Sequence, residues 1–346
     1  KKTIDFIDQT QSVDNKDRAL SYLERENELL EIFKTHLENI SGCFYKKPDI
    51  DAIAVTVGPG LEPALWVGIS FAKALLTLWN IPLLPINHME GHVVSVLASD
   101  KVQTDLFPAL ALLISGGHTE LVSVQSWGDY SIIGGTKDDA VGEAYDKVAR
   151  ILGMPYPGGP EISKRAEALR TKNSIKDLEQ KALSYNIRLP RPMLHSQDTN
   201  FSFSGLKTAV LYLVRDLKKQ YNLNPQDTLS DEITSLICFE FEEAVVEVLI
   251  KKLQTAIDFR PETKTLVVGG GVIANTYIRE KLDAWSDEVG ISIYKPESGL
   301  ATDNAAMIGI AGLVRLVHTD TKLIQTNTTE FEQLHARGGW RIDELY

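Results

Sequence analysis

Short apolar runs alternating with helical stretches, with glycine-rich turns after several of the runs, predict an α/β protein built from layers of helix and sheet. Three observations carry this. Apolar, strand-length runs stand at 53–57, 83–86, 109–114 and 265–268, and glycine turns follow closely on three of them, at 58–60, 116–117 and 269–271. Between the runs, apolar residues recur at three- and four-residue steps, the helical period. Three consecutive strand-like runs between 109 and 133 form one antiparallel meander in the middle.

In chain order, residues 1–13 carry no pattern. From Asp17 onward Leu20, Leu23, Leu30, Phe33, Leu37 and Ile40 recur at helical steps or sums of them, which predicts a single amphipathic helix stopped by Ser41 and Gly42. Residues 53–57 read as a strand, and the turn at 58–60 leads into a helix over about 63–79, with Pro63 suited to its first turn. A strand at 83–86 ends on a histidine pair. Strands at 109–114, 120–125 and 130–133 form the meander. A helix is expected over 138–152, with Asp138 and Asp139 at the positive end of its dipole. After Pro157-Gly158-Gly159-Pro160 comes a polar, mostly helical region to about 186. Further helices are predicted from 203, over 230–257, 275–285 and 304–317, with strands at 265–268 and 291–294; the tail has no clear pattern.

The chain has 346 residues, 43% of them apolar, enough for two cores. Its two cysteines, Cys43 and Cys238, show no pairing signature, which suggests a reducing compartment. Neither a signal peptide nor a run of some twenty apolar residues is evident, so a cytoplasmic protein without a membrane partner is expected. A net charge of −11 argues against autonomous, tight binding of a polyanion. One basic cluster stands against that balance: Lys164, Arg165, Arg170, Lys172, Lys176, Lys181, Arg188 and Arg191. It reads either as a nucleic-acid patch or as a solvated helical insertion.

The chemistry-bearing stretch is His88-Met89-Glu90-Gly91-His92. Histidines at i and i+4 share one helical face and can reach one ion, whereas Glu90 at i+2 points largely away. That separates it from the His-Glu-x-x-His zinc-protease motif. Around it stand glycine turns: Gly58-Pro59-Gly60, Ser115-Gly116-Gly117-His118-Thr119, Pro157-Gly158-Gly159-Pro160 and Gly269-Gly270-Gly271-Val272-Ile273-Ala274-Asn275, then Ala301-Thr302-Asp303-Asn304. Consecutive amides in such turns can form an anion nest, and a strand, glycine turn and helix start can seat a nucleotide. The Gly-x-Gly-x-x-Gly spacing of a dinucleotide fold is missing.

Together these motifs resemble the tRNA N6-threonylcarbamoyladenosine transferases, the TsaD-like proteins formerly called O-sialoglycoprotein endopeptidases, of the bacterial type. The resemblance spans about residues 50–317. It implies the two-lobed actin, Hsp70 and sugar-kinase fold with a nucleotide cleft between lobes. One lobe would be residues 1–105 joined by the helix from about 303, and the other 106–302. The family's opening hairpin, with its Glu-Thr-Ser-Cys-Asp-type loop, has no counterpart before Asp17, so the first hairpin is expected to be absent.

The implied activity is transfer of threonylcarbamoyl from threonylcarbamoyl-AMP to N6 of the adenosine beside the anticodon, in tRNAs reading codons that begin with A. The implied metal ligands are His88, His92 and Asp303, holding one divalent ion, Fe²⁺ or Zn²⁺. On residue type alone Asp303 could equally be a helix N-cap. Leu113, Ile114, Ser115, Gly116 and Gly117 would hold the phosphate and acyl part, Asp146 and Gly159 the ribose, and Asn275 the adenylate. Without the resemblance Asp146 reads as a partner of Arg150. Some relatives carry an aspartate where this chain has Ser163, and usually glycine where it has Pro63. His118 lies in the phosphate loop; His36, His195, His318 and His335 read as structural or solvated. No catalytic residue is assigned, because the nucleophile belongs to the RNA. A same-fold paralogue (TsaB) and a small ATPase (TsaE) are the implied partners, beside tRNA and threonylcarbamoyl-AMP. Three alternatives stand: a metalloprotease using Glu90, a non-catalytic nucleotide-binding scaffold, and a small-molecule carbamoyltransferase.

Overall fold

The computed structural model describes residues 9–39, 48–99, 105–326 and 328–344. The expected helix stop at Ser41 and Gly42, and Cys43, lie outside them, as do residues 1–8 at the place of the expected missing hairpin. The chain forms two compact units, one of residues 1–94 and 305–346, the other of 95–304.

The first unit begins with α1 (Gln9–Ser21) and α2 (Asn27–Asn39). The sequence pattern predicts one helix here, and the structure corrects it to two. The polar run Glu24-Arg25-Glu26 lies in a turn, while Leu23, in the same turn, is fully buried with Ala19, Phe33, Ala74 and Leu75. Burying Leu23 and Phe33 in one cluster outweighs the continuation of the helix.

Strand β1 (Ile53–Gly58) leads into α3 (Glu62–Trp79) and back to β2 (Leu83–Asn87), which pairs with β1 in parallel. The short helix α4 (His88–Val94) follows at once. From the C-terminal part of the chain, Ile324 bridges Leu83, and Arg337 donates its amide to the Val57 carbonyl at 2.7 Å.

The second unit carries a five-stranded sheet. Its strands are β3 (Ala109–Ile114), β4 (Thr119–Ser126), β5 (Asp129–Gly135), β6 (Thr265–Gly269) and β7 (Ser292–Tyr294), in the order β5-β4-β3-β6-β7. The meander β3–β4–β5 is antiparallel, and β3, β6 and β7 run parallel. Strand β3 is buried at every position, as a central strand covered on both faces must be.

Around this sheet stand α5 (Val141–Ile151), α6 (Gly158–Arg170), α7 (Ile175–Ser184), α8 (Ser204–Gln220), α9 (Asp231–Phe259) and α10 (Thr276–Val289). The 29-residue α9 is buried along most of its length and runs through the core. The chain then returns to the first unit as α11 (Ala305–His318), which packs on α4, β1 and β2, and α12 (Thr329–Gln333).

The helix expected from Asp138 starts instead at Val141. Asp138 caps a different helix: its carboxylate accepts the amides of Phe203 and Ser204 at 2.8 and 3.1 Å and the hydroxyls of Ser202 and Ser204 at 2.6 Å. Asp139 pairs with Lys147 at 2.7 Å.

Candidate metal centre and nucleotide cavity

Asn87, the last residue of β2, fixes where α4 begins. Its Oδ1 accepts the amides of Met89 and Glu90 at 2.9 and 3.4 Å, and its Nδ2 donates to the Trp340 carbonyl at 3.0 Å. The helix therefore opens on His88, and one turn later His92 stands beside it, with ring centroids 4.7 Å apart and planes at 82°. Gly91 lies on the side of α4 that meets α11. A Cβ there would stand 2.9 Å from Ile308 Cδ1 and 3.3 Å from Met307 Cγ, so a larger residue would have to push these side chains aside.

Asp303 lies two residues ahead of α11. One ligand atom from each of His88, His92 and Asp303 falls within 4.8 Å of the others. His92 is buried, His88 half-buried and Asp303 exposed. Two imidazoles and one carboxylate suit a divalent transition metal and leave coordination positions open for a ligand. The donor set fits the implied ion and does not choose its identity.

Glu90 serves elsewhere. It is fully buried, and Arg315 Nε on α11 donates to its carboxylate at 2.6 Å, while Arg315 Nη1 donates to the Pro85 carbonyl at 3.0 Å. The glutamate that a metalloprotease would need is thus committed to a buried ion pair.

A second feature lies wholly within residues 95–304: a cavity of about 590 Å³. Strands β3 and β6 are parallel neighbours, with Leu113 opposite Gly269, so the turns at their carboxyl ends lie side by side. Ligands of open α/β sheets bind in such a place. Gly270 makes the approach possible: it has φ +94°, and a Cβ on it would lie 2.4 Å from the Ile114 carbonyl oxygen.

The residues expected from the sequence fall as follows. Gly116, Asp146, Gly159 and Asn275 all line the cavity. Leu113 and Ile114 are buried within β3 and paired there with Glu120 and Thr119 of β4, outside the cavity lining. Ser115 shapes the turn, its Oγ accepting the amides of Gly117 and His118 at 3.3 and 3.0 Å. Asp146 makes no ion pair with Arg150 among the described residues; its Oδ1 accepts the Gly158 amide at 2.7 Å, clamping α6 to α5. Asn275 caps α10 through Oδ1, which accepts the Ile278 amide at 3.0 Å. Its Nδ2 donates to Ser163 Oγ at 2.8 Å and to Glu242 Oε1 at 2.6 Å. Ser163 in turn donates to the Gly159 carbonyl at 2.9 Å.

Beneath Asn275 is a charged network that the sequence motifs do not show. Arg170 donates to Glu242 at 2.6 Å and to Glu243 at 3.1 Å, and its guanidinium carbon lies 3.3 Å from the Tyr277 ring centroid. Tyr277 donates to Glu243 at 2.6 Å. Burial, then the neighbouring Glu242, holds the Tyr145 hydroxyl well above its ordinary pKa, so it stays protonated. The available signal was the pair Glu242-Glu243 set between the apolar Phe241 and Ala244 of a long helix, because buried acids require partners.

The basic cluster divides. Arg165, Arg170, Lys181 and Arg191 pair with Asp231, Glu242, Glu232 and Glu240, all on α9. Lys164, Lys172, Lys176 and Arg188 remain exposed.

Residues 30–310 match TsaD, tRNA N6-adenosine threonylcarbamoyltransferase. The chain belongs to that family. It is 47% identical over 271 residues to the tRNA N6-adenosine threonylcarbamoyltransferase of Chromobacterium violaceum, covering 78% of this chain and 73% of that one. It is likewise 47% identical over 268 residues to that of Nitrosospira multiformis, covering 78% and 71%, and 45% identical over 276 residues to that of Aromatoleum aromaticum, covering 80% and 72%. As a TsaD-family member the chain has the α/β architecture of the actin and Hsp70 type. Among the described residues no helix is long and apolar enough to cross a membrane.

Proposed function

We propose that this chain transfers the threonylcarbamoyl group of threonylcarbamoyl-AMP to N6 of the adenosine next to the anticodon, in tRNAs reading codons that begin with A. In that reaction the N6 amine attacks the carbamoyl carbon. The bond from that carbon to the phosphate oxygen breaks, AMP leaves, and one N6 proton is lost. The observation that carries the reading is the convergence of His88, His92 and Asp303 in a chain that matches this family over residues 30–310.

The chain's own groups divide the work. The 113–117 segment would meet the phosphate and acyl part through the backbone of Gly116, which lines the cavity, while the Ser115 and Gly117 amides, bonded to the His118 carbonyl and to Ser115 Oγ, hold the turn in shape. The Asp146 carboxylate, already fixed through the Gly158 amide, accepts from the ribose hydroxyls near Gly159. Asn275, its amide held by Glu242 and Ser163, bounds the adenylate. His88, His92 and Asp303 hold one divalent ion, iron or zinc, which when bound supplies Lewis acidity and positive charge for the developing negative charge. No catalytic residue is assigned, since the attacking nitrogen belongs to the RNA.

With a net charge of −11 and half of its basic cluster paired internally, the chain is expected to dock tRNA together with partners. A same-fold paralogue (TsaB) and a small ATPase (TsaE) are the partners this reading expects, in the cytoplasm. The protease alternative is disfavoured by the Glu90–Arg315 pair. The scaffold alternative is disfavoured by an open metal-ligand set that a scaffold has no use for.

The test is transfer of labelled threonylcarbamoyl from its adenylate to tRNA by the purified chain, alone and with cell extract. Label in N6-modified adenosine is expected at least with extract. Label on no RNA under either condition rejects the reading.

A further inference from the structure

Tyr156 lines the 590 Å³ cavity and yet is 82% exposed. A lone exposed aromatic is ordinary on a protein surface. This one is held in an unusually fixed frame. On its N-terminal side the Met154 amide donates to the Ala149 carbonyl at 2.9 Å. On its C-terminal side the Gly158 amide donates to Asp146 at 2.7 Å, and α6 begins at Gly158. Both flanks are thus tied to α5, and the ring stands at the cavity with most of its surface uncovered by the described residues. Pro157 and Pro160 beside it, with Val272 and Ala274 from the turn after β6, make this part of the lining apolar.

We propose that Tyr156 is the platform on which the adenine base of the adenylate stacks. The proposal rests on the functional reading above, in which Asp146 and Gly159 take the ribose. The base is one glycosidic bond from that ribose, and Tyr156 is two residues from the Gly158 amide that the ribose-binding aspartate holds. Stacking on an aromatic face suits any purine, so Tyr156 positions the nucleotide and leaves the choice of base to other residues. The lost stack is expected to weaken nucleotide binding about 5- to 100-fold.

The experiment is calorimetric binding of AMP and of ribose 5-phosphate, without tRNA, to the wild-type chain and to the Tyr156→Phe and Tyr156→Ala variants. An exposed side chain is replaced, so both variants are expected to melt as the wild type does. Tyr156→Phe should bind AMP within about twofold of wild type, and Tyr156→Ala should lose about 5- to 100-fold for AMP while keeping its affinity for ribose 5-phosphate. Equal AMP affinity in wild type and Tyr156→Ala overturns the stack and leaves the functional reading standing, even if that variant is impaired with tRNA. An equal loss for both ligands also overturns it, since the segment would then be shaping the ribose site. A wild-type chain that binds no AMP removes both the stack and the adenylate reading beneath it.

Discussion

Glu90 lies between His88 and His92 in sequence, but its role is set by a residue 225 positions away. The carboxylate is fully buried and the Arg315 side chain 5% exposed, so each charge depends on the other. Removing one member of such a pair strands the other in a medium that solvates it poorly. Glu90→Ala is therefore expected to destabilise the protein by about 3 to 5 kcal/mol, read as a lower midpoint in guanidinium denaturation. A loss below about 1 kcal/mol would show that water reaches Arg315. Nothing in the spacing His-Met-Glu-Gly-His announces this pair. The spacing did place Glu90 off the face shared by the two imidazoles, because helical geometry is local, whereas a partner 225 residues distant leaves no periodic trace.

At the scale of elements, the close approach of α11 to α4 rests on Gly91. Gly91→Ala would put a methyl group 2.9 Å from Ile308 Cδ1 and 3.3 Å from Met307 Cγ. Both neighbours are flexible side-chain atoms, so repacking of Ile308 and Met307 is expected in place of unfolding. The cost should be about 1 to 3 kcal/mol, with weaker metal retention because Gly91 adjoins His92 on α4. Equilibrium dialysis against a chelator, alongside a melting curve, measures both.

A second element-scale contact is Asp138 at the start of α8. Burial pushes this carboxyl upward, but the hydrogen bonds from Ser202, Ser204 and the amides of Phe203 and Ser204 outweigh it and hold it below the ordinary carboxylate range. A depressed folded-state pKa means the stabilisation is present above the unfolded value and is lost as pH falls through the folded one. Asp138→Ala should cost about 0.5 to 2 kcal/mol at pH 7. The gap between wild type and variant should close as denaturation is repeated below about pH 4. A gap that stays constant with pH would show that the cap does not depend on charge.

The elements differ in how far the sequence discloses them. The strands 53–57, 83–86, 109–114 and 265–268 lie within a residue or two of their observed ends, because each is a short, largely apolar run bounded by glycine or turn residues. The break between α1 and α2 is hidden because Leu20, Leu23 and Leu30 keep helical spacing across the turn, and only tertiary burial of Leu23 shows that the chain bends there. Asp138 and Asp139 look like first-turn acids of α5 until the loop at 202–204 is seen to supply the donors.

For the whole molecule, the glycine turns that bring Gly116, Gly159 and Asn275 to one cavity were legible, because each turn follows a strand or opens a helix. The network of Arg170, Glu242, Glu243 and Tyr277 beneath Asn275 was not, because its members read singly as part of a basic run and of a helix. The same pairing removes four cations from the basic cluster, and the metal triad joins positions 88, 92 and 303 of a 346-residue chain. The most direct test of the account measures metal content per chain together with threonylcarbamoyl transfer to tRNA, in wild type and in His88→Ala, His92→Ala and Asp303→Ala. The account predicts about one divalent ion in the wild type, and loss of ion and of transfer together in every variant. Full transfer by a variant that has lost its ion, or an ion retained undiminished in all three, would contradict it.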